Sequence, residues 1–426
     1  MQLDGTWTTI SRMSDADLYP RLVRARLREA LAASPVVLLH GPRQCGKTTL
    51  ARGLGEDDGR QYVTLDDAAT LAAVETDPRG FVLDLEGPIT IDEVQRVPEL
   101  FIAIKQAVDR DRRPGRFLLT GSANALFVPA AADSLAGRME IIRLHPLSEV
   151  EIGRHQPGFL DRVFAGEFKV AQGERLGPKL ADLVLRGGFP EAVRRDTARG
   201  RRAWARDYLA AIIQRDVRDI ARIQRLDVMP RLLELAAGQT ARLVNVSEIA
   251  GPFNLSRATV RDYLTLLGQI FLVDELPAWH ANRLKRLVKT PKLHVTDTGL
   301  ACALLGVEAD DLRDDRTLLG QLLETFVVQE LRRQASGWEY EVRFSHYRDK
   351  DQREVDIVLE RGPSRIVGIE VKASATLREA DRRGLERLRE AAGNRFRCGA
   401  LLYDGETLVP LGDRIFAIPL STLWRR

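Results

Sequence analysis

The sequence predicts an α/β protein: a parallel sheet in the N-terminal third, followed by helices and a second, smaller α/β unit. Three observations predict this class. An apolar run at residues 36–40 leads through a glycine-rich turn into a helical pattern. Four further short apolar runs lie before residue 150, at YVTL, PITI, RFLL and MEIIRL, with helices expected between them. Near the C-terminus, the apolar runs EVDIVLE and RIVGIEVK flank a Gly-Pro-Ser turn.

The composition limits the kind of protein. At 426 residues the chain is longer than one ordinary core, so we expect two or three domains. The hydrophobic fraction of 44% and the charged fraction of 29% are typical of a soluble globular protein. No run approaches the roughly 20 apolar residues that cross a bilayer, and the first residues do not resemble a secretory signal. We therefore expect no membrane association. Three widely separated cysteines form neither a disulfide framework nor a zinc site, so we expect a reducing compartment, the cytoplasm.

The basic residues are divided unevenly between the two types. The net charge is +4, and of the 64 basic residues nine are lysine while the rest are arginine. An ammonium suits positions that need a compact charge and where a planar guanidinium does not fit. The scarcity of lysine therefore gives weight to Lys47 and Lys372, which both lie in motifs. The net charge itself neither requires nor excludes nucleic acid as a partner.

Residues 41–48 read GPRQCGKT, a G-x-x-x-x-G-K-T phosphate-binding loop between a strand and a helix. In such a loop, glycines let backbone N–H groups turn inward around a β-phosphate at the helix N-terminus. Lys47 would bridge the β- and γ-phosphates, and Thr48 would bind Mg²⁺. We therefore expect ATP and Mg²⁺ as ligands. The nucleotide would be held by nine loop residues: Gly41, Pro42, Arg43, Gln44, Cys45, Gly46, Lys47, Thr48 and Thr49.

The strand expected at PITIDE, residues 88–93, ends in two adjacent acids. Asp92 would hold Mg²⁺ through water, and Glu93 would polarise the water that attacks the γ-phosphate. Solvated acids at the end of a strand are the alternative.

Polar residues follow the next two strands. Ser122 or Asn124, after RFLLTG, would reach the γ-phosphate, and the sequence does not choose between them. Arg138, just before MEIIRL, would contact the γ-phosphate of its own subunit or of a neighbouring one, and the latter requires a homo-oligomer. In so arginine-rich a chain, an exposed arginine at a helix end is the alternative.

These strings resemble one branch of the AAA+ ATPases, prokaryotic proteins whose ATPase domain is joined to a largely uncharacterised C-terminal region. The resemblance is carried by GPRQCGKTTL, ITIDEVQ, LLTGSAN, and SLAGR followed by LHPLS, and it continues through LRGGFPEA, RDV, KRLVKTPKLHVTDTGLA and LLETFVVQEL. It implies a P-loop NTPase parallel sheet of the AAA+ type over residues 1–150. It also implies that the helical residues 151–227 form the lid that follows the nucleotide fold.

Residues 228–284 predict a winged helix-turn-helix, because helical patterns are followed by an apolar pair of strands around FLVDEL. Ser256 would cap the third helix, while Leu264 and Leu267 would face the core. Six side chains would contact nucleic acid: Arg257, Thr259 and Arg261 at the start of that helix, and Lys285, Lys289 and Lys292 in the lysine-rich stretch after it. Winged modules also serve as protein–protein adaptors, so DNA and protein both remain open as partners.

Residues 285–426 predict a second α/β domain with a charged site. Residues two apart in a strand share a face, so Glu370 and Lys372 point the same way. The turn RGPSR would close a hairpin that sets Asp356 beside Glu370, and Glu324 lies on a preceding helix. This order, helical Glu, strand Asp and strand Glu-x-Lys, looks like the PD-(D/E)xK nuclease fold.

The nuclease resemblance implies a role for each charged residue. Asp356 and Glu370 would hold Mg²⁺ against a phosphodiester, and Lys372 would orient or deprotonate water. Glu324 would add a ligand or hold the lysine in place. A solvated charged hairpin is the alternative, and folds of this kind also persist as binding domains without activity.

The sequence thus predicts an Mg²⁺-dependent ATPase whose ATP hydrolysis repositions a C-terminal half, acting on DNA. Three classes remain open: an ATP-gated endonuclease, an ATP-switched DNA-binding regulator with an inert nuclease-like fold, and a signalling or defence NTPase whose C-terminal half binds protein.

Overall fold

The computed structural model describes residues 18–122, 135–220, 226–286 and 289–425. Asn124 lies outside these ranges, and of Lys285 only the backbone is described.

The N-terminal domain is built on the five-stranded parallel sheet that the sequence predicts. Its strands are β1 Val36–His40, β2 Gln61–Thr64, β3 Ile89–Asp92, β4 Phe117–Gly121 and β5 Met139–Arg143, and its helices are α1 Arg24–Ala33, α2 Lys47–Asp58, α3 Ala68–Thr76, α4 Pro78–Leu83 and α5 Glu99–Arg110. The order β2-β3-β4-β1-β5 places β1 inside the sheet. Alternate residues of β1 enter two apolar clusters, Val36 with Leu38 on one face and Val37 with Leu39 on the other. A strand covered on both faces requires a continuous apolar run, which is why β1 reads VVLL.

A helical region follows the sheet. Its helices are α6 Glu149–Ile152, α7 Phe159–Ala165, α8 Lys179–Arg186, α9 Pro190–Val193 and α10 Ala198–Ile220, and it includes the short strand β6 Ala171–Gln172.

Three helices and a small antiparallel sheet come next. They are α11 Met229–Gly238, α12 Val246–Ala250 and α13 Arg257–Gln269, with the strands β7 Arg242–Leu243, β8 Val273–Leu276 and β9 Lys292–Val295, and the short α14 Arg283–Arg286 lies between β8 and β9. Ser256 caps α13 as predicted, accepting a hydrogen bond of 3.0 Å from the N–H of Thr259. The predicted strand pair around FLVDEL is wrong in one respect. That stretch supplies only β8, whose partner is β9, beyond the expected boundary at residue 284.

The C-terminal part forms a seven-stranded mixed sheet between helices. The elements are α15 Thr298–Leu305, α16 Ala309–Asp314, α17 Arg316–Ser336 and α18 Arg383–Ala392, with β10 Arg343–Arg348, β11 Glu354–Arg361, β12 Arg365–Lys372, β13 Phe396–Tyr403, β14 Thr407–Gly412 and β15 Ile415–Pro419. The sheet order is β10-β11-β12-β13-β15-β14-β6. The predicted hairpin is present, since β11 and β12 pair antiparallel with Arg361 opposite Arg365. The long helix α17 packs on one face of this sheet and α18 on the other.

Short 3-10 turns complete the described chain at Val94–Arg96, Leu226–Val228, Gly251–Phe253, Glu379–Arg382, Gly393–Arg395 and Leu420–Leu423. Within the part of the chain that the structure describes, no helix is long and apolar enough to cross a membrane.

The residues expected to form one lid, 151–227, are divided between two cores. Side chains of α7 and α8 pack in the apolar core of the C-terminal sheet, and β6 pairs with β14 at the edge of that sheet. Side chains of α10 instead pack in one core with α11 and α13. Periodicity identifies such helices as amphipathic, but it does not say which apolar surface each helix covers.

A buried ion pair joins three distant segments of the chain. Asp297 accepts hydrogen bonds from the N–H of Gly188 at 2.7 Å and from Arg333 Nη2 at 3.0 Å, and it caps α15 through the N–H of Leu300. Arg333 also donates to the carbonyl oxygen of Leu147. Asp297 is 2% exposed and Arg333 is 5% exposed, so removing either partner leaves the other charged and buried.

We expect Asp297→Ala to lower the free energy of unfolding by about 3–5 kcal/mol, because Arg333 loses its counter-charge in a dry site. Urea denaturation followed by circular dichroism measures this. The matched control is Asp314→Ala, at an exposed aspartate, which should change the value by less than about 0.5 kcal/mol. Equal losses in both variants would contradict the structural role of the pair.

Candidate functional site

A cavity of about 780 Å³ opens where β1 ends, within the range of roughly 300–1,000 Å³ usual for small-molecule sites. Its walls come from the chain before α1, from the phosphate loop, and from α9 and α10. Basic side chains outnumber acidic ones on these walls. The basic side chains are Arg21, Arg24, Arg43, Lys47, Arg194 and Arg215, and the acidic ones are Glu93, Glu191 and Asp207. Such an excess of positive charge suits a polyphosphate.

The two glycines that bracket the loop are required by its geometry. A Cβ on Gly41 would lie 2.2 Å from the carbonyl oxygen of Leu144, a distance at which atoms clash. Gly46, at the N-cap of α2, has φ of 101°, a conformation that residues with a side chain rarely adopt. The loop can therefore wrap its backbone closely around a bound group. The side chain of Cys45 is buried, so Cys45 contributes through its backbone.

Lys47 and Thr48 lie at the end of the loop and the start of α2, where each makes a polar contact. Lys47 is 5% exposed, and its Nζ donates to the carbonyl oxygens of Gly41 at 3.0 Å and Pro42 at 2.8 Å, inside the loop. Thr48 Oγ1 donates to Asp92 Oδ2 at 2.9 Å. The hydroxyl and the carboxylate expected to share Mg²⁺ thus lie in contact. These oxygen ligands fit a cation whose remaining ligands are phosphate oxygens and water.

Asp92 and Glu93 lie at the end of β3, where Asp92 accepts several hydrogen bonds. Asp92 also accepts hydrogen bonds from Thr120 and, at 2.6 Å, from Tyr62. Burial and then the neighbouring Asp92 raise the pKa of Tyr62 to about 12, so the phenol stays a donor at neutral pH. Glu93 follows with φ of 60°, which turns it away from the strand direction.

Glu93 is held by a residue that the motifs did not single out. Gln95 Nε2 donates to Glu93 Oε2 and, at 3.1 Å, to Ser122 Oγ. Ser122 therefore reaches the site through Gln95. The signal for Gln95 was its place in ITIDEVQ, two residues after Glu93, although an amide at that position does not by itself indicate a catalytic role.

The loop is also held from α10, which sequence reasoning missed. Arg43 Nε contacts both carboxylate oxygens of Asp216, at 2.8 and 3.0 Å, and Trp204 Nε1 donates to Gln44 Oε1 at 3.2 Å. Tyr208 donates to the carbonyl oxygen of Arg43 at 3.3 Å. Asp216 belongs to the RDV string, so the string marked it, but only the fold shows that it pairs with the loop.

Arg138 lies away from this cavity. Its Nε is paired with Asp109 Oδ1 at 2.7 Å, and it is not among the side chains that line the cavity. The position does not support a contact with the γ-phosphate of its own subunit. A contact with a neighbouring subunit stays a prediction.

The nucleic-acid residues divide into two groups. Arg257 and Arg261 are exposed at the start of α13, while Thr259 is half-buried and shares a hydrogen bond with Ser256. Leu264 and Leu267 are buried as expected.

The lysine-rich stretch does not present a row of exposed cations. Lys289 is half-buried and donates to the carbonyl oxygen of Arg348, and Lys292 is only 3% exposed. Lys292 as a contact to a phosphate backbone is therefore a wrong expectation, because its ammonium faces the C-terminal domain.

The predicted charged residues do meet at the end of the β11–β12 hairpin. Glu324, Glu354, Asp356 and Glu370 lie there, and we call them the C-terminal carboxylate cluster. Lys372 Nζ donates to Glu370 Oε1 at 2.8 Å, and the N–H of Val371 donates to Asp356 Oδ2 at 3.0 Å. Burial and then Asp356 raise the pKa of Glu370 to about 8.

Lys292 enters this cluster from β9. Its Nζ lies 2.8 Å from Glu324 Oε1, 3.3 Å from Asp356 Oδ1 and 3.9 Å from Glu354 Oε2. Burial alone would lower the pKa of Lys292, but Glu324 and Asp356 outweigh that effect and raise it.

The cluster does not fit the divalent cation that its sequence pattern suggested. Mg²⁺ takes about six oxygen ligands, of which one or two are carboxylates that are free to bind it and the others are water or phosphate oxygens. Among the described residues, no group of three or more Asp, Glu, His or Cys side chains is arranged to hold a metal ion. An ammonium occupies the space between Glu324 and Asp356 instead. The expectation that Glu324, Asp356 and Glu370 bind Mg²⁺ is therefore not supported.

Family models match three consecutive parts of the chain: an AAA domain over residues 33–153, a domain of unknown function (DUF8612) over residues 177–311, and another (DUF4143) over residues 319–423. The uncharacterized protein Rv2008c of Mycobacterium tuberculosis is 32% identical over 421 residues, covering 97% of this chain and 86% of that protein. Mb2031c of Mycobacterium bovis, also uncharacterized, matches to the same extent.

Solved structures give more distant similarities. The Walker-type ATPase PABY2304 of Pyrococcus abyssi is 15% identical, with a TM-score of 0.45 over 68% of this chain and 97% of that one. RuvB of Thermotoga maritima has a TM-score of 0.28 at 17% identity, over 60% of this chain and 89% of that one. Similarities this distant bear on neither the activity nor the partners of this chain.

A parallel sheet that ends in a G-x-x-x-x-G-K-T loop beside an acidic strand end defines a P-loop ATP-binding protein. With its AAA domain match and its full-length mycobacterial relatives, the chain belongs to the AAA+ ATP-binding family.

We expect ATP with Mg²⁺ to change the tryptophan fluorescence of the protein, because Trp204 is bonded to Gln44 in the loop that would close on the phosphates. Trp204→Phe should abolish that change, with binding followed independently by calorimetry. Trp338→Phe is the control, since Trp338 stacks on Phe164 in the core of the C-terminal sheet and should leave the change intact. A change that survives Trp204→Phe would place the closing movement elsewhere.

Proposed function

We propose that the protein hydrolyses ATP with Mg²⁺ and that hydrolysis changes the position of its C-terminal half on DNA. The observation that carries the proposal is that Lys47, Thr48 and Glu93 line one basic cavity, with Asp92 in contact with Thr48. Each has the chemistry that phosphoryl transfer to water requires.

The residues of the site have separate tasks in that reaction. Lys47 would exchange the carbonyl oxygens of Gly41 and Pro42 for phosphate oxygens, at little cost because its ammonium is already inside the loop. Thr48 and Asp92 would hold Mg²⁺, which offsets the charge on the phosphates. Glu93 would orient the attacking water once it leaves Gln95. On this proposal, the hydrogen bond from Gln95 keeps the Glu93 carboxylate from orienting water until the substrate is bound.

The helix α10 supports coupling between the nucleotide and the C-terminal half. One side of α10 contacts the loop through Asp216 and Trp204. Its apolar side chains, among them Leu209 and Ile213, lie in the same core as Leu264 of α13. A close-packed core transmits a displacement instead of absorbing it. Movement of the loop on binding phosphate would therefore move α10 and α13 together.

The element order of residues 229–295 and the exposed Arg257 and Arg261 support DNA as the partner. A recognition helix presents its first residues to the groove, and here two arginines occupy that place. The protein-adaptor alternative predicts that these arginines do not affect affinity for DNA.

The placement of Lys292 favours a second candidate function, an ATP-switched DNA-binding regulator with an inert nuclease-like domain. Lys292 pairs with Glu324 and Asp356, two of the three residues that would have held the metal of a nuclease. On this candidate the protein binds DNA in response to ATP and leaves the DNA uncut.

Lys47→Ala should lower the ATPase rate about 100-fold or more, because the transferred phosphoryl group loses its nearest cation. The rate is measured by phosphate release from purified protein, with and without duplex DNA. Lys105→Ala, a lysine on α5 outside the cavity, is the control and should keep the wild-type rate. Undiminished turnover in Lys47→Ala would refute the assignment of the loop.

Arg257→Ala combined with Arg261→Ala should weaken duplex binding and lower the slope of log affinity against log salt by about 2, since each lost phosphate contact removes about one unit. Fluorescence anisotropy over a salt series measures the slope. Arg397→Ala removes an exposed arginine of β13 and serves as the control. Unchanged affinity and slope in the double variant would favour a protein partner.

A further inference from the structure

We propose that Lys292 is an internal counter-cation that takes the place of a divalent metal in the C-terminal carboxylate cluster. The cluster shares no residue with the phosphate loop, so this inference stands apart from the proposed ATPase activity.

The ammonium of Lys292 engages two of the three carboxylates that the sequence pattern assigned to a metal. Lys292 Nζ is within hydrogen-bond distance of Glu324 Oε1 on α17 and of Asp356 Oδ1 on β11. It therefore bridges a carboxylate of the helix and one of the strand. The second oxygen of Asp356 is occupied by the N–H of Val371.

Cationic side chains of the protein already compensate most of the carboxylate charge. The four carboxylates of the cluster face three cationic groups, because Lys372 pairs with Glu370 and Arg348 Nε lies 3.0 Å from Glu354 Oε1. A divalent ion between Glu324 and Asp356 would lie against the ammonium of Lys292, and the repulsion of charges that close is strong in a buried site. A divalent metal and the ammonium of Lys292 therefore cannot occupy this position together.

Glu370 does not change this conclusion. Its Oε2 is buried and, among the described residues, has no hydrogen-bond partner. The other oxygen of Glu370 accepts from the ammonium of Lys372, so a cation at Oε2 would lie next to a positive charge.

Lys292 is fixed in this position by its strand. Residues of β9 pair with β7 on one side and with β8 on the other, so β9 is the central strand of its sheet. A buried polar contact joins β9 to α17, since His294 Nδ1 lies 3.0 Å from Thr325 Oγ1. The Val295 carbonyl oxygen also accepts from Gln329 Nε2. The strand therefore fixes the backbone of Lys292, and its side chain is enclosed by its neighbours, since the residue is only 3% exposed.

It follows that the cluster docks β9 onto α17 and β11 and does not carry out metal-dependent hydrolysis of a phosphodiester. Such hydrolysis depends on a metal to activate water and to offset charge on phosphorus. In this protein, the carboxylates whose pattern suggests a nuclease form ion pairs with a lysine from a neighbouring sheet. The cluster then serves as an attachment point between the two modules.

Titration with Mn²⁺ alone tests this, using the full-length protein without nucleotide and electron paramagnetic resonance to measure free Mn²⁺. The wild type and Asp356→Asn should give the same binding curve, because the cluster takes no metal in either. Lys292→Met keeps the length of the side chain and removes its charge. It should gain one Mn²⁺ site of at least tenfold higher affinity, and Lys292→Met combined with Asp356→Asn should lose that site.

Two results would overturn the inference. One is Mn²⁺ binding by the wild type that Asp356→Asn removes, and the other is a Lys292→Met variant that gains no site. If Lys292→Met is too unstable to titrate, the midpoint of its thermal unfolding, measured with and without Mn²⁺, tests the inference instead. Mn²⁺ should raise that midpoint towards the wild-type value while leaving the wild type unchanged, and no rise would count against the proposal. Failure of the ATPase proposal would instead appear as an undiminished ATPase rate in Lys47→Ala, and it would leave the Mn²⁺ binding curves unchanged.

Discussion

The contact between the phosphate loop and α10 is the constraint on which the rest of the arrangement depends. Arg43 pairs with Asp216, and Trp204 donates to Gln44, so the loop is held on its outer side by a helix of another module. A loop that closes around phosphates must turn its backbone N–H groups inward. On the proposed function, that movement changes the contacts of Arg43 and Gln44 and biases the position of α10.

Among the described residues, elements from different parts of the chain after the parallel sheet share apolar cores. The helix α10 belongs to the core of α11 and α13, whereas α7 and α8 belong to that of the C-terminal sheet. Lys292 adds an electrostatic tie between β9 and the carboxylates of α17 and β11. On the proposed function, displacement of one module would therefore displace its neighbours.

The nucleotide site could be predicted from the sequence because its residues are local. The loop from Gly41 to Thr48 is continuous, and Asp92 and Glu93 end one strand, so parallel-strand topology alone brings them together. The partners of the loop could not be predicted, since Asp216 is separated from Arg43 by 173 residues and only tertiary packing joins them. The same limit applies to Lys292. The lysine-rich stretch that contains it suggested a contact to nucleic acid, whereas the ammonium of Lys292 lies in the carboxylate cluster, next to residues 32 and 64 positions away along the chain.

A crystal structure of the protein with a non-hydrolysable ATP analogue and Mg²⁺ tests the central claim most directly. The account predicts that Lys47 Nζ leaves the carbonyl oxygens of Gly41 and Pro42 for phosphate oxygens, and that Thr48 Oγ1 becomes a ligand of the metal. An analogue bound elsewhere, or a loop that stays closed on Lys47 at saturating analogue, would contradict it.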